Sequence, residues 1–308
     1  MKFAGIIVTF NRIDKLKKAL ASYDNQIFAP YYLIVVNNAS TDGTYEYLEK
    51  WKNIPNNYQK IVIHKEHNTG GSGGFYAGQK KALELDIDWV ILGDDDAYLK
   101  NDFISRANKI CSSIAKSHQN VAAICGKVYQ QESYYGNRQI LTSKWKINCT
   151  RNISLDAYQL KFFPIDVFTY VGPVINVNAL RSVGLVREDF FIWHDDTEHC
   201  LRLKKYGEIL CYPELEIMHE VDSANFSLSW KDYYGWRNQI CLFKELMPVQ
   251  FPWLLFLAII KAFLCILKGK TLTEVQLRLR GIRDGALGKM GINAIYKPGW
   301  KPNNKAVD

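Results

Sequence analysis

The sequence has no C-x-x-C pair: its seven cysteines, Cys111, Cys125, Cys149, Cys200, Cys211, Cys241 and Cys265, are odd in number and scattered. That excludes the paired-thiol zinc and redox motifs and leaves reduced thiols in a cytoplasmic setting as the expectation. The N-terminal apolar run in MKFAGIIVTFNR breaks at Asn11 and Arg12, too short for a signal-peptide core and cleavage region. The N-x-S/T matches at Asn148, Asn152 and Asn225 then read as chance. There is no internal repeat and no low-complexity tract, and no residue class is depleted as in disordered chains. The longest apolar run, FPWLLFLAIIKAFLCIL at 251–267, carries Pro252 and Lys261. It falls at the lower edge of the roughly 17–25 residues that a membrane-crossing helix needs.

What is present points to a large core. The 308 residues are 48% hydrophobic and 13% aromatic, enough for one big domain or one with an appendage. The net charge of +8 is unevenly distributed. Between Lys261 and Lys305 ten Lys or Arg residues face only Glu274 and Asp284, so the basic character belongs to the C-terminal segment.

The first half alternates short apolar runs with helix-period segments. FAGIIVTF reads as a strand, followed by Ile13, Leu16, Ala19, Leu20 and Tyr23 at helical spacing. YYLIVVNN is a second strand, and Ser40, Thr41 or Asp42 can cap the helix after it. KIVIHKE is a third, followed by the glycine-rich NTGGSGG and a helix near 75–85; DWVILG is a fourth. Later, DDTEHCLRLKKYG predicts a helix with Leu201 and Leu203 inward and Gly207 at its end, EILCYPELEIMHE a strand, and Ser229 to Leu246 a helix. This pattern implies an α/β fold, a mostly parallel sheet with helices on both faces. Ligands bind such sheets beyond the carboxyl ends of the strands. Thr9 to Arg12, Asn37 to Asp42, Asn68 to Gly74 and Asp94 to Asp96 should therefore face one crevice.

The sharpest feature is ILGDDDAY, three acids directly behind an apolar strand. If strand geometry continues, Asp94 and Asp96 point the same way and offer carboxylates to one divalent cation, while Asp95 points elsewhere, towards a ribose or sugar hydroxyl. Gly70, Gly71, Gly73 and Gly74 permit close approach of backbone to a ligand. The stretch fails the dinucleotide fingerprint, because Tyr76 stands at the third glycine position, and fails the P-loop pattern, because Gln79 follows Gly78. A nucleotide or phosphate loop of another type remains, beside a plain turn.

In order and spacing, IIVTFNR, IVVNNASTDGT, NTGGSGG, LGDDD and HDDTEHCLR resemble the GT-A nucleotide-sugar glycosyltransferases of family 2 over about residues 3–245. The resemblance implies a Rossmann-like nucleotide-sugar-binding sheet in a catalytic domain spanning 1–245, with 246–308 a C-terminal apolar and basic helical segment. It implies donor contacts from Thr9, Arg12, Asn38, Asp42, the four glycines, Asp94 and Asp95, with Asn38 standing where many members have Asp. It also implies a Mn²⁺ or Mg²⁺ site at Asp94, Asp96 and His219, imidazole favouring Mn²⁺.

Single displacement at an anomeric carbon needs a base for the acceptor hydroxyl. The match to the family's acidic motif gives that role to Asp196, with Asp195 beside it to position sugar hydroxyls. Mutual repulsion raises one carboxyl's pKa, whereas a helix start lowers it, and the sequence leaves the outcome open. Trp193, Trp236 and Tyr233 either stack on acceptor sugars or belong to the core; His194 and His199 are acceptor-side or structural.

The combination of NTGGSGGF, WHDDTE, His219 and YYGWRNQ looks closest to bacterial galactofuranosyl- and rhamnosyltransferases of surface polysaccharide synthesis. That implies a UDP- or dTDP-sugar donor, with galactofuranose favoured, and a saccharide or polyprenyl-linked acceptor. The 251–267 segment and basic tail suit an anionic membrane surface at the inner face of the cell membrane, or else packing on the domain or in a homo-oligomer. No nucleic-acid motif accompanies the basic tail. A sugar nucleotidyltransferase would carry glycines in the loop after the first strand, where TFNR has none, and a noncatalytic binding protein would not need both acidic motifs.

Overall fold

The computed structural model describes residues 1–130, 133–135, 138–221 and 227–302; Asn225 and Lys305 lie outside them. Strands β1 (Phe3–Thr9), β2 (Tyr32–Asn37), β3 (Gln59–His64) and β4 (Trp89–Asp94) pair in parallel in the order β3-β2-β1-β4. Helices α1 (Ile13–Asp24), α2 (Thr44–Trp51) and α3 (Gly70–Ala82) make the crossovers. Next come β5 (Ala97–Leu99), α4 (Phe103–Ser117), β6 (Val121–Gln130), β7 (Ser133–Tyr135), β8 (Arg138–Leu141) and β9 (Thr150–Asn152). They are followed by β10 (Phe163–Ile165), β11 (Val167–Phe168), β12 (Val174–Asn176) and α5 (Val177–Val183). Helix α6 (Asp195–Tyr206) and β13 (Glu208–His219) complete a sheet in the order β3-β2-β1-β4-β12-β6-β13-β10. β12 runs antiparallel to both β4 and β6, so the sheet is mixed. β11, β8 and β9 form a small second sheet.

Strand alternation divides the core into two faces. Phe3 and Ile7 of β1 pack with α1, α2 and α4 through Leu16, Leu20, Leu48, Trp51 and Phe103. Ala4, Ile6 and Val8 face the other way, with Phe75 of α3, Leu180 of α5 and Leu203 of α6. In α6, Leu203 is buried and Gly207 follows the last turn as expected, but Leu201 is only partly covered.

The glycine stretch differs from expectation. Residues 70–74 are the first turns of α3, a helix that begins five residues earlier than hydrophobic spacing suggests. Glycine is a poor helix former, so packing must hold the turn. A Cβ on Gly74 would stand 2.4 Å from Val8 Cγ1, and one on Gly78 2.4 Å from Ile6 Cγ2. Both glycines let α3 lie directly on β1.

The four loops at the strand ends are tied to one another. Asn11 accepts from Thr41 N (2.7 Å) and its own N–H donates to Ser40 Oγ (3.0 Å), while Asp42 accepts from Ile13 N (3.0 Å). Asp42 also accepts from Thr44 Oγ1 (2.6 Å), and Gly43, not the expected Ser, Thr or Asp, is the cap residue of α2. Asn38 is buried and fully used: Thr69 N and Oγ1 donate to its oxygen (both 3.0 Å), and its amide donates to Asn68 Oδ1 (3.0 Å) and Gly70 O (2.9 Å).

A helical layer closes the chain: α7 (Trp230–Leu246), α8 (Phe251–Leu264) and α9 (Leu272–Ala286). Ile240 and Phe243 of α7, Leu254, Ala258 and Ala262 of α8 and Ile282 of α9 share one cluster, which spans the 245/246 boundary read from the sequence. The Ser229–Asp232 capping box begins α7. Among the described residues no helix is long and apolar enough to cross a membrane.

The Asn38 bonding pattern predicts that Asn38→Asp removes two donors and sets an unpaired anion against Gly70 O and Asn68 Oδ1. The expected destabilisation is about 2–4 kcal/mol, read from urea unfolding. A midpoint equal to the parent protein's would show that the amide does not bind the β2 and β3 loops together.

Candidate active site

β4 ends at Asp94, and Asp95 and Asp96 form the turn into β5. Strand alternation therefore stops before it can align Asp94 with Asp96, contrary to expectation. β5 pairs antiparallel with the end of β13, setting His219 opposite Ala97. This register brings His219 Nε2 to 3.3 Å from Asp96 Oδ1. The other Asp96 oxygen accepts from Arg12 at 2.5 Å, with Lys15 at 3.9 Å. Burial alone would raise the Asp96 pKa, but His219, Arg12 and Lys15 outweigh it and hold the carboxyl below its ordinary value.

Asp95 is 0% exposed, accepting from Thr9 Oγ1 at 2.8 Å and lying 3.2 Å from Arg12 Nε. It is inside the protein, so it does not reach out to a sugar hydroxyl, and Thr9 is occupied in holding it. Burial raises its pKa to about 6 against the opposing pull of Arg12 and Thr9. Asp94 is pushed well above the usual range, by burial first, then by Asp96 and Asp95, with Asp195 adding to the repulsion. That last effect joins the two acidic motifs, a hundred residues apart in sequence, in one electrostatic site.

The second motif sits where the chain enters α6. Phe191, Trp193 and His194 all have positive φ (68°, 64° and 62°), a costly conformation for large side chains. Side chains of α7 hold it. The buried Asn238 amide nitrogen lies 2.9, 2.8 and 2.8 Å from the carbonyl oxygens of Phe190, Ile192 and Trp193. Arg237, also buried, donates to Phe190 O (2.9 Å), Asp189 O (3.2 Å) and Gly291 O. From the opposite side Gly70, at φ 75°, abuts the Phe191 carbonyl, where a Cβ would come within 2.0 Å, and Ser72 N donates to that carbonyl at 3.3 Å. The reading of the sequence gave Arg237 and Asn238 no role; an Arg-Asn pair on an otherwise aromatic helix face is the signal for them.

Asp196 opens onto a cavity of about 440 Å³ that is also lined by Trp193, His194, Thr197, Thr169 and Asn148. Trp236 does not line it, and Tyr233 is buried against Tyr234 and Tyr296. Thr197 N (2.6 Å) and Oγ1 (3.1 Å) donate to Asp196 Oδ1. Despite these donors and the helix start, burial and then repulsion from Asp195 raise the Asp196 pKa. Burial likewise raises Asp195. Burial lowers the His194 pKa to about 4, which leaves its ring neutral at neutral pH. His199 is a core residue whose Nδ1 lies 2.8 Å from Tyr170 Oη.

A divalent cation fits part of this arrangement. Asp96 Oδ1 and His219 Nε2 face one another, and neither Asp96 Oδ1 nor His219 Nδ1 has a hydrogen-bond partner among the described residues. Among those residues no group of three or more His, Cys, Asp or Glu stands together as a ready set of metal ligands. The seven cysteines are buried and unpaired.

Residues 6–170 match the family model for glycosyl transferase family 2. The chain is 35% identical over 205 residues to galactofuranosyltransferase GlfT1 of Mycolicibacterium smegmatis, covering 66% of this chain and 65% of that relative. It is 24% identical over 257 residues to the dTDP-rhamnosyl transferase RfbF of Shigella flexneri, covering 78% and 79%. In fold it is similar to S. aureus TarS 1–349 in complex with UDP (TM-score 0.52, 18% identity, 80% and 66% covered). It is also similar to GalNAc-T7 with UDP, GalNAc and Mn²⁺ (TM-score 0.61, 13% identity, 92% and 56% covered). These likenesses show the GT-A fold. With more than half of its length inside the family match, the protein belongs to glycosyl transferase family 2.

Proposed function

We propose that the protein is an inverting glycosyltransferase that moves a sugar from a nucleoside-diphosphate donor to a hydroxyl of a saccharide or lipid-linked acceptor in surface polysaccharide synthesis. The observation that carries this reading is the convergence of the two acidic groups, with Asp196 facing a cavity and its pKa raised. The identity to GlfT1 favours UDP-galactofuranose as donor; the longer match to RfbF supports dTDP-rhamnose as the second reading.

In this mechanism the acceptor hydroxyl lies in the Asp196 cavity. Asp196 accepts its proton as the hydroxyl oxygen forms a bond to the anomeric carbon. The bond from that carbon to the diphosphate oxygen breaks, and the leaving group takes the electron pair, so the configuration inverts. Asp195, beneath it, raises the proton affinity of Asp196 and orients sugar hydroxyls. Asp96 Oδ1 and His219 Nε2 would hold Mn²⁺ or Mg²⁺, which when bound would stabilise the negative charge developing on the departing diphosphate. Thr9 fixes Asp95, and Arg12 neutralises Asp95 and Asp96 while its exposed side remains near the donor. Asn38 and Asp42 brace the donor loops, and Gly71, with open space beside it, leaves the start of α3 approachable. Trp193 and His194 flank the acceptor.

A screen of UDP- and dTDP-sugars with Mn²⁺ should find a donor whose nucleotide is released in an acceptor-dependent way. The idea fails if no donor exceeds an Asp96→Asn control. Asp196→Asn is expected to lower transfer by about 10²–10⁴-fold and keep UDP affinity; equal loss of both would make Asp196 structural.

Since the base must be ionised, kcat/KM should rise with pH as the Asp195–Asp196 pair loses its protons, with a midpoint raised above the ordinary carboxylate range. The raised folded-state pKa also means that the native protein binds the extra proton below that midpoint, so stability falls as pH rises from the ordinary carboxylate range towards 7. Asp94, Asp95 and Asp195 contribute to the same fall, so Asp196→Asn should lessen it, and a melting temperature with the parent's pH dependence would contradict this.

His219→Ala should raise the Mn²⁺ concentration needed for UDP binding by roughly tenfold or more. Calorimetry with UDP alone reads this, and unchanged metal dependence would take His219 out of the site.

A further inference from the structure

Helix α8 presents apolar residues on two sides. Leu254, Ala258 and Ala262, four residues apart, are buried against the α7 and α9 layer. Phe256, Ile259, Ile260, Phe263 and Leu264 are between 36% and 52% exposed, and Leu267 beyond them is 82% exposed. A contiguous apolar surface of this kind marks a place of contact.

Between α8, the start of α9 and the Lys146–Ile147 segment runs a groove of about 530 Å³. Its floor is apolar, built from Ile147, Leu257, Ile260 and Leu264. Its rim carries Lys146, Lys261, Lys268, Lys270 and Arg278. Glu274 pairs with Arg278 and lies 3.7 Å from Lys270. Among the described residues, Lys146, Lys261 and Lys268 have no carboxylate partner.

The cations are crowded. Lys261 Nζ lies 5.6 Å from the Trp236 ring centroid and the Arg278 guanidinium 5.3 Å from it. Burial, then Arg278 and Lys268, depress the Lys261 pKa. An anion at the rim would relieve that repulsion, and an apolar chain would cover the floor.

The groove also meets the candidate active site. Ile147 lines both cavities, and Asn148, on the Asp196 cavity, lies 3.5 Å through its Oδ1 from Lys261 Nζ. A ligand seated in the groove can therefore pass Ile147 and end beside Asp196.

We infer that this groove binds the phosphate-bearing apolar carrier of the acceptor. The chain lies along α8, the phosphate among the five rim cations, and the glycosyl end in the Asp196 cavity. The orientation rests on the transfer reading above; the binding of a phosphate amphiphile does not.

The test uses the full chain and tryptophan fluorescence, with farnesyl phosphate and farnesol as probes. Farnesyl phosphate should bind about tenfold or more tightly than farnesol, and the Lys261→Ala/Lys268→Ala variant should lose that advantage while UDP affinity stays unchanged. Equal binding of phosphate and alcohol, or unchanged binding in the variant, overturns the site. Phosphatidylglycerol vesicles that bind in a Lys261- and Lys268-dependent way, without saturable farnesyl phosphate binding, would assign the surface to bilayer headgroups and overturn the carrier.

In transfer assays the variant should raise KM about tenfold for a prenyl-phosphate-linked saccharide and leave KM for the free saccharide unchanged; an equal effect on both overturns the orientation. If farnesyl phosphate binds as expected but no donor is ever turned over, the transfer reading falls and the amphiphile site stands.

Discussion

The structure depends on how three adjacent carboxylates are accommodated at the end of a buried strand. Two like charges 4 Å apart repel by about 4 kcal/mol at an effective dielectric of 20, so the cluster is untenable without cations. Arg12, at the end of β1, reaches both Asp95 and Asp96. Lys15 and His219 add to it at Asp96 only. Burial raises all three carboxyls and the cations offset it unequally: Asp96 is lowered, Asp95 is raised to about 6, and Asp94, with no ion pair among the described residues, is raised well above the ordinary range. Because Arg12 lies in the loop after β1 and Asp95 in the turn after the neighbouring β4, the same ion pair also fixes that loop against that turn.

A second constraint is the backbone between Phe190 and Asp195. Three bulky residues at positive φ would relax if left to themselves. They are gripped from two directions, by the amide and guanidinium of Asn238 and Arg237 and by the glycine-opened start of α3. Gly70, Gly74 and Gly78 thus have one common effect: they seat α3 between β1 and the loop that carries Asp195 and Asp196. The β1 strand and the Asp195–Asp196 loop are therefore held by one helix.

Much of this was legible in the sequence, for reasons that can be named. The apolar run FAGIIVTF reports a strand buried on both faces and the helical spacing after it a helix packed on one of them, and the structure has both. The prediction that four strand-end loops meet is met by the bonds among Asn11, Thr41, Asp42, Asn38 and Asn68 for the first three and by the Thr9–Asp95 bond for the fourth. What failed depends on long-range contacts. Propensity argues against a helix starting on Gly70, and only Val8, Ile6 and Phe191 on other elements explain why one does. Whether Asp94 aligns with Asp96 turns on where β4 stops, which is set by β5 joining β13. The amide at Asn38 is explained by its two donor contacts, which a carboxylate cannot make.

The helical layer bears on the site more directly than its place at the end of the chain suggests. α7 supplies Arg237 and Asn238 to the loop before Asp195, and the same helix shares its outer cluster with α8 and α9. Gly285 of α9 packs so closely that a Cβ there would be 2.3 Å from the Arg237 carbonyl. A displacement of α9 or α8 therefore bears on α7, and through Asn238 on the three carbonyls that set the direction of the Asp195–Asp196 turn. A carboxyl with a raised pKa must be kept from relaxing towards water, where its proton affinity would return to the ordinary value. Fastening its loop to a helix embedded in a separate hydrophobic layer meets that requirement.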